Sequence, residues 1–188
     1  MNYPIETILK YHMTLETRRL SIVPLNHDQL KLYMEPEHAL ERSLGLQTGS
    51  RTISKALSEA LQKSILPKVA ANPQDFLFLS IWTIISKKEG IMVGDLCFKG
   101  CPNDDGEVEI GYGTYETLQG RGYMTEAVGA VTNWALSQSD IKAVLAETAP
   151  DNLASHRVLE KNHFTRTYRL KTAIFWKREA LKNPLADR

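Results

Sequence analysis

Cysteine is scarce in this chain: Cys97 and Cys101 are the only two, with three residues between them and no second Cys or His pair at ligand spacing. Neither a disulfide framework nor a zinc site has support, and no metal is expected. Excess charge of one sign is missing as well, since 23 Lys and Arg stand against 22 Asp and Glu. That balance points to no nucleic acid and no acidic membrane surface. No stretch approaches the roughly 18 consecutive apolar residues of a membrane span, and no basic segment followed by an apolar run opens the chain. A soluble, cytoplasmic protein is the expectation. Repeats and low-complexity runs are also absent. So is the G-K-[ST] of a phosphate-binding loop, which leaves a generic nucleotide binder as a minor alternative.

What is present centres on Leu118 to Gln138. Met124, Ala127, Val128, Val131, Trp134 and Ala135 follow the i, i+3, i+4, i+7 spacing of one helix face. Gly120 and Gly122 stand where that helix begins, and glycine allows a sharp turn that brings backbone N–H groups against a ligand. The first four amides of a helix lack internal partners and carry partial positive charge, so such an end seats anions. The plain alternative is a turn whose glycines only permit a loop before a buried helix. Context decides between them.

The context follows in chain order. Residues 1–16 read as an N-terminal arm, with Met1 to His12 short of pattern, and the core of a single domain spanning 1–188 runs from about 17 to 177. Arg19 to Leu25 alternates as a strand stopped by Pro24, and Asn26 or Asp28 caps a short helix through Tyr33. Ile53, Ala56, Leu57, Ala60, Leu61, Ile65 and Val69 have helix period, whereas Glu35 to Ser50 is hard to assign. Phe76 to Ile85 reads as a central strand buried on both sides. Ile91 to Phe98 pairs with it in a hairpin, and Glu107 to Gly113 continues the meander. On that last strand Val108, Ile110 and Tyr112 share one face, Glu107 and Glu109 the other. Ala143 to Thr148, reached by a helical crossover, should lie parallel to it. Asn152 then starts a helix with Ser155 one turn on, and Phe164 to Tyr168 with Thr172 to Trp176 form a last hairpin.

This order of elements resembles the GNAT superfamily of acyl-CoA-dependent N-acetyltransferases from about Thr17 to Trp176. The matching stretches are Glu109-Ile110-Gly111-Tyr112, Gln119-Gly120-Arg121-Gly122-Tyr123 with Thr125-Glu126-Ala127, and Glu147-Thr148 followed by Asn152-Leu153-Ala154-Ser155 and Val158-Leu159-Glu160-Lys161. Within the superfamily they look most like the branch that acetylates ribosomal-protein N-termini. The fold so implied is a mixed α/β one: a mostly antiparallel sheet, flanked by helices and splayed between its fourth and fifth strands, Glu107 to Gly113 and Ala143 to Thr148. Gln119, Gly120, Arg121, Gly122, Tyr123, Met124 and Thr125 would face the diphosphate of acetyl-CoA. Thr114 and Tyr115, at the end of the fourth strand, would serve its pantetheine and thioester carbonyl. Asn152 would bond the pantetheine, and Ser155 would stand near the sulfur. Three positions depart from the family pattern: Met124 for Gly or Ala, His163 for the glycine of a left-handed turn before Phe164, and Leu159 for the tyrosine acid of other branches.

The activity implied is acetyl transfer to a primary amine, a protein N-terminus or a small molecule, by direct attack on the thioester. With Leu159 in the tyrosine's place, Ser155 becomes the candidate proton donor to a sulfur whose thiol pKa is about 8.5. An α-amine of pKa near 7.8 is neutral in roughly one molecule in seven at pH 7, a lysine in roughly one in 2,500. A weak base therefore suffices for an α-amine, and Glu109 and Glu147, one on each splayed strand, are the candidates. Each residue has a plainer reading: solvated strand faces for the glutamates, a helix backbone bond for Ser155, a loop charge for Arg121. His156 reads as a surface helix residue, and Tyr112, Trp134 and Trp176 as core or pocket wall. The acceptor pocket should come from Glu35 to Ser50 and the hairpin around Arg166 to Lys171. A non-catalytic acyl-CoA-binding sensor is the alternative of another class, and a homodimer is left open.

Overall fold

A computed structural model describes residues 13–180, so the expected arm Met1 to His12 lies outside the described residues. Eight strands form one sheet in the order β1-β2-β3-β4-β5-β6-β8-β7. They are β1 Leu15–Glu16, β2 Leu20–Pro24, β3 Ile81–Ser86, β4 Ile91–Phe98, β5 Glu107–Thr114, β6 Ala143–Thr148, β7 Thr165–Arg169 and β8 Ile174–Glu179. The two residues of β1 pair with Ile22 and Ser21, so the sheet begins inside the stretch assigned to the arm, and β8 runs past 177. That extra strand renumbers the splayed pair as β5 and β6.

Local sequence explains most of the elements. Asn26 and Gln29 form a reciprocal capping box that starts the helix His27–Met34. Ser54 caps the next helix at Leu57 N–H, 3.1 Å away. That helix runs from Lys55 to Ala71 through a π-helical segment, Leu61–Ile65. The unassigned stretch holds a five-residue helix, Ala39–Ser43. One expectation fails: Phe76–Leu79 is a helical turn and only Ile81–Ser86 is strand. Its four apolar residues are those of a buried strand by composition, but they follow the Pro73–Asp75 turn and pack as a helix on the sheet. Phe78 there meets Phe98 and Trp134 at 5.4 and 5.6 Å between ring centres, which packs the half-buried Trp134 against the core.

The sheet opens at the one parallel pair among the described residues. β5 and β6 are in register at Glu107↔Ala143, Val108↔Val144 and Glu109↔Leu145, and no further. Beyond that point β5 stays with β4 and β6 with β8, leaving a wedge between them. Lys99 N–H bonds the Glu109 carbonyl and Tyr115 N–H the Val93 carbonyl, so odd-numbered residues of β5 turn their backbone groups to β4. By antiparallel alternation, Tyr112 and Thr114 turn theirs into the wedge. Gly94 on β4 approaches Met124 of the helix Tyr123–Leu136, which identifies the face that this helix covers. Asp95, Cys97, Gly111, Gly113 and Tyr115 lie on the opposite face. Among the described residues no helix is long and apolar enough to cross a membrane.

Candidate active site

The helix Tyr123–Leu136 begins at the mouth of the wedge. Gly122 is its N-cap in the left-handed region at φ 75°, as is Gly120 at φ 76°, and no side chain caps the helix. The first helical bond is Glu126 N–H to the Gly122 carbonyl, so the amides of Tyr123, Met124 and Thr125 open outward. The turn is braced from the β1–β2 connection. Arg19 donates through Nε to Glu126 at 2.6 Å and through Nη1 to the Arg121 carbonyl at 3.0 Å, and Thr17 bonds Glu126 at 2.7 Å. Burial works against the Glu126 charge, but the bonds from Thr17 and Arg19 hold its carboxyl below the usual range. On the other side Tyr123 donates to Glu89 at 2.9 Å, which lowers that carboxyl too, and Arg121 reaches it at 3.3 Å.

A cavity of about 530 Å³ lies against this turn and runs to the helix Leu153–Lys161. It collects Thr114, Gln119, Gly120, Arg121, Gly122, Tyr123, Met124, Thr125, Asn152 and Ser155. Asn152 caps its own helix by accepting from Ser155 N–H at 3.1 Å, which leaves its amide NH2 for a ligand. The Tyr112 hydroxyl reaches the Ser155 carbonyl at 3.3 Å, tying β5 to that helix, and burial pushes it up to about 12. Met124 is 5% exposed, so its side chain belongs to the helix core while its amide faces the cavity. Arg157 and Lys161, one turn apart, also line the cavity, and no ion pair engages them among the described residues. Neither is among the residues expected at the site, although Ala154, Arg157, Val158 and Lys161 share a helix face with i, i+3, i+4, i+7 spacing.

Four expected residues are placed elsewhere. Tyr115 uses its N–H on Val93 and turns its side chain to the opposite face, so of the two residues at the end of β5 only Thr114 lines this cavity. Glu109 is ion-paired with Lys99 and lines neither cavity beside β5. Glu147 is exposed on β6, opposite Phe175, and also lines neither. His156 is not a surface residue: it is 5% exposed, bonds the Ala149 carbonyl at 3.0 Å and packs on Trp176, itself buried and bonded to Thr148. Leu159 is fully buried, and no hydroxyl replaces it at that point. His163 adopts the left-handed turn that glycine was expected to provide, at φ 62°.

A second cavity, of about 570 Å³, opens on the other face of β5 and shares Tyr112, Gly113, Thr114 and Gln119 with the first. Thr52, Ser54 and Leu57, just after the segment Glu35 to Ser50, line it, and no residue of Arg166 to Lys171 does. Asp95 lies in its lining, its Oδ2 accepting from Tyr33 at 2.8 Å and Tyr115 at 2.7 Å. Burial pushes the Asp95 carboxyl up to about 6, against the lowering effect of both phenols and Arg51. A carboxyl raised in the folded state favours folding below its unfolded value, 3.8, and loses that contribution as pH rises through about 6. Asp95→Asn should therefore melt closer to the wild type at pH 4 and higher than it at pH 8. Scanning calorimetry at the two pH values checks this, and a difference independent of pH would refute it.

An opened mixed sheet with an uncapped glycine-turned helix end at the opening is the architecture of an acetyltransferase. Residues 19–165 match the family model described as the acetyltransferase (GNAT) domain, and the chain belongs to that family. It is 30% identical over 152 residues, 80% of this chain and 88% of the other, to the uncharacterized N-acetyltransferase YjdG of Bacillus subtilis. Among solved structures, the ribosomal-protein-S5-alanine acetyltransferase of Vibrio fischeri superposes with a TM-score of 0.62 at 16% identity, covering 89% of this chain and 97% of that one. The ribosomal L7/L12 α-N-protein acetyltransferase RimL, in complex with coenzyme A, gives 0.60 at 19% identity, covering 89% and 98%. At these identities the structures speak for the fold.

Proposed function

We propose that the chain, acting as one domain over 1–188, transfers acetyl from acetyl-CoA to the α-amine of a protein N-terminus in the cytoplasm. The observation that carries this is the uncapped helix end of Tyr123, Met124 and Thr125 opening on a cavity flanked by the unpaired cations Arg157 and Lys161. Amides at a helix N-terminus and cations in reach suit a diphosphate and a further phosphate, and glycines at 120 and 122 keep the approach free of side chains. Gln119 and Arg121 border the same turn, and Asn152 and Thr114 offer amide groups along the wedge for the pantetheine. Bound there, acetyl-CoA supplies an acetyl thioester at the point where the two cavities meet.

The chain's own groups then orient and move protons. Thr114 N–H, turned into the wedge, aims a donor at the carbonyl position. The Ser155 hydroxyl, in the cavity lining beside the Tyr112 hydroxyl, donates to the departing sulfur. Glu109 and Glu147, outside both cavity linings, act at most through water. Ser155→Ala is expected to lower the rate of the chemical step about 10- to 100-fold with coenzyme A affinity unchanged. Single-turnover kinetics and calorimetry read the two quantities, and an unchanged chemical step removes Ser155 as donor.

Two arguments favour an α-amine over lysine. The α-amine is neutral far more often at pH 7, and the Vibrio fischeri enzyme and RimL are named for ribosomal-protein substrates, RimL for α-N acetylation. A mass-spectrometric assay of acetyl transfer to peptides with free N-termini, lysine peptides and small amines tests the reading. Coenzyme A binding without transfer to any amine would favour a sensor.

A further inference from the structure

We propose that Asp95 receives the acceptor's ammonium in the second cavity and takes its proton, making that cavity a seat for an α-amine. The inference rests on the acetyl-transfer reading above and names the base that Glu109 and Glu147 do not provide.

Three features of the cavity carry it. First, its floor is bare backbone beside the carboxylate: Asp95 is in register with Gly113, where an added Cβ would meet nothing within 4 Å. Second, the carboxylate is held by neutral hydroxyls alone. Oδ2 accepts from both phenols, and the remaining donor beside the carboxylate is the Thr83 hydroxyl, opposite Asp95 on β3. Neutral donors stabilise an ionised carboxylate without balancing its charge. Third, no Lys or Arg of the described residues is ion-paired with Asp95. The guanidinium whose charge acts on it, Arg51, is committed to Glu41 and to the Tyr33 carbonyl. A buried carboxylate with donors but no cation is completed by a cation from outside.

Position makes that cation the reacting amine. The cavity shares Tyr112, Gly113, Thr114 and Gln119 with the first, so a group at Asp95 stands across β5 from the wedge. Glu116 in the same lining adds negative charge at the approach. The groups that face Asp95 are Tyr33 and Arg51 from the helical side, with Glu41 and His38 behind Arg51, Thr83, Cys97 and Tyr115 from the sheet, and Glu116 from the turn after β5.

The step balances without a co-reactant. R–NH3+ gives one proton to Asp95 and becomes R–NH2, whose nitrogen forms the C–N bond as the C–S bond breaks. Ser155 gives its proton to the departing thiolate and is refilled by the second amine proton, and Asp95 returns its own to solvent. With the carboxyl at about 6, the first transfer is uphill by roughly two powers of ten from an α-amine near 7.8 and by more than four from a lysine near 10.4. The site is thereby biased towards N-termini.

The test uses the full chain with coenzyme A or acetyl-CoA bound and three peptides of one sequence: free N-terminus, acetylated N-terminus, and acetylated with one lysine added. Wild-type transfer to the free N-terminus is measured first; its absence overturns the α-amine reading and this inference with it. Given transfer, Asp95→Asn should lower kcat about 100-fold and abolish the acidic limb of the kcat/KM profile near pH 6. Tyr115→Phe, which removes one bond that favours the ionised form, should move that limb to higher pH. By calorimetry on the coenzyme A complex, Asp95→Asn should weaken the free-amine peptide at least about tenfold and leave the acetylated one unchanged. A limb that persists in Asp95→Asn, or equal weakening of both peptides, overturns the assignment of Asp95 while acetyl transfer stands.

Discussion

Arg51→Met is expected to lower the free energy of unfolding by about 3–5 kcal/mol, the usual result of removing one member of a buried ion pair. Glu41 is fully buried and the Arg51 side chain is 4% exposed, and the guanidinium grips the carboxylate with two bonds, Nε at 2.8 Å and Nη2 at 2.9 Å. The same guanidinium bonds the Tyr33 carbonyl at 2.7 Å and lies over the Tyr33 ring at 4.5 Å. Without it, Glu41 keeps a charge in the core with only His38 beside it. Burial opposes the Glu41 charge, yet the bonds from Arg51 and His38 hold its carboxyl below the ordinary range. A carboxyl lowered by folding contributes stability above its unfolded value and loses it as pH falls through the folded value. The deficit of Arg51→Met should accordingly be full at neutral pH and shrink in acid. Arg51→Met with Glu41→Leu should recover most of it, because no charge is then stranded. Urea denaturation of the three proteins at pH 7 and pH 4 measures all of this. A deficit under about 1 kcal/mol would show that water reaches Glu41. Since Arg51 also seats Tyr33, the single variant should bind the acceptor amine less well.

How far such effects are legible in a sequence depends on the distance over which they act. The glycine turn and its helix were readable because Gly120, Gly122 and the apolar positions from Met124 to Ala135 lie within a few turns of one another. Asn152 and Ser155 were readable for the same reason, and the structure adds that the asparagine caps the helix it starts. The parallel crossover between β5 and β6 followed from strand, helix and strand in succession. The brace of the turn was not readable, because Arg19 and Glu126 are 107 residues apart. Asp95 was passed over on similar grounds: it sits in an alternating strand, and only the fold brings Tyr33 to it from 62 residues away. Phe76–Leu79 failed for a different reason, since four apolar residues carry no period that separates helix from strand. His163 shows the limit of a motif, for the left-handed turn forms without its glycine.

Gly94→Ala is the second substitution with a large expected effect, a loss of about 2–3 kcal/mol from the addition of one methyl group. An ideal Cβ at 94 would lie 2.5 Å from the Gly113 carbonyl oxygen, 3.1 Å from the Thr114 Cα and 3.2 Å from the Met124 Cε. The methionine end can swing away, but the other two atoms are backbone of the paired strand, so β4 and β5 must part. The usual gain from replacing a strand glycine, roughly 0.5–1 kcal/mol, is overwhelmed. The strand so displaced carries Thr114 and Gly113, which border both cavities, and coenzyme A affinity should fall along with the melting temperature. Gly113→Ala is the control, one strand over: its Cβ meets nothing, so stability should hold or rise slightly, while the methyl group stands on the floor beside Asp95. That variant should keep coenzyme A affinity and raise the acceptor KM several-fold. Thermal melts and calorimetry on the pair separate the two effects, because one glycine is required by the packing of two strands and the other by the space that an amine occupies. Equal melting temperatures for the two variants would mean that β4 and β5 yield to the methyl at 94, and that their close approach does not fix the width of the wedge.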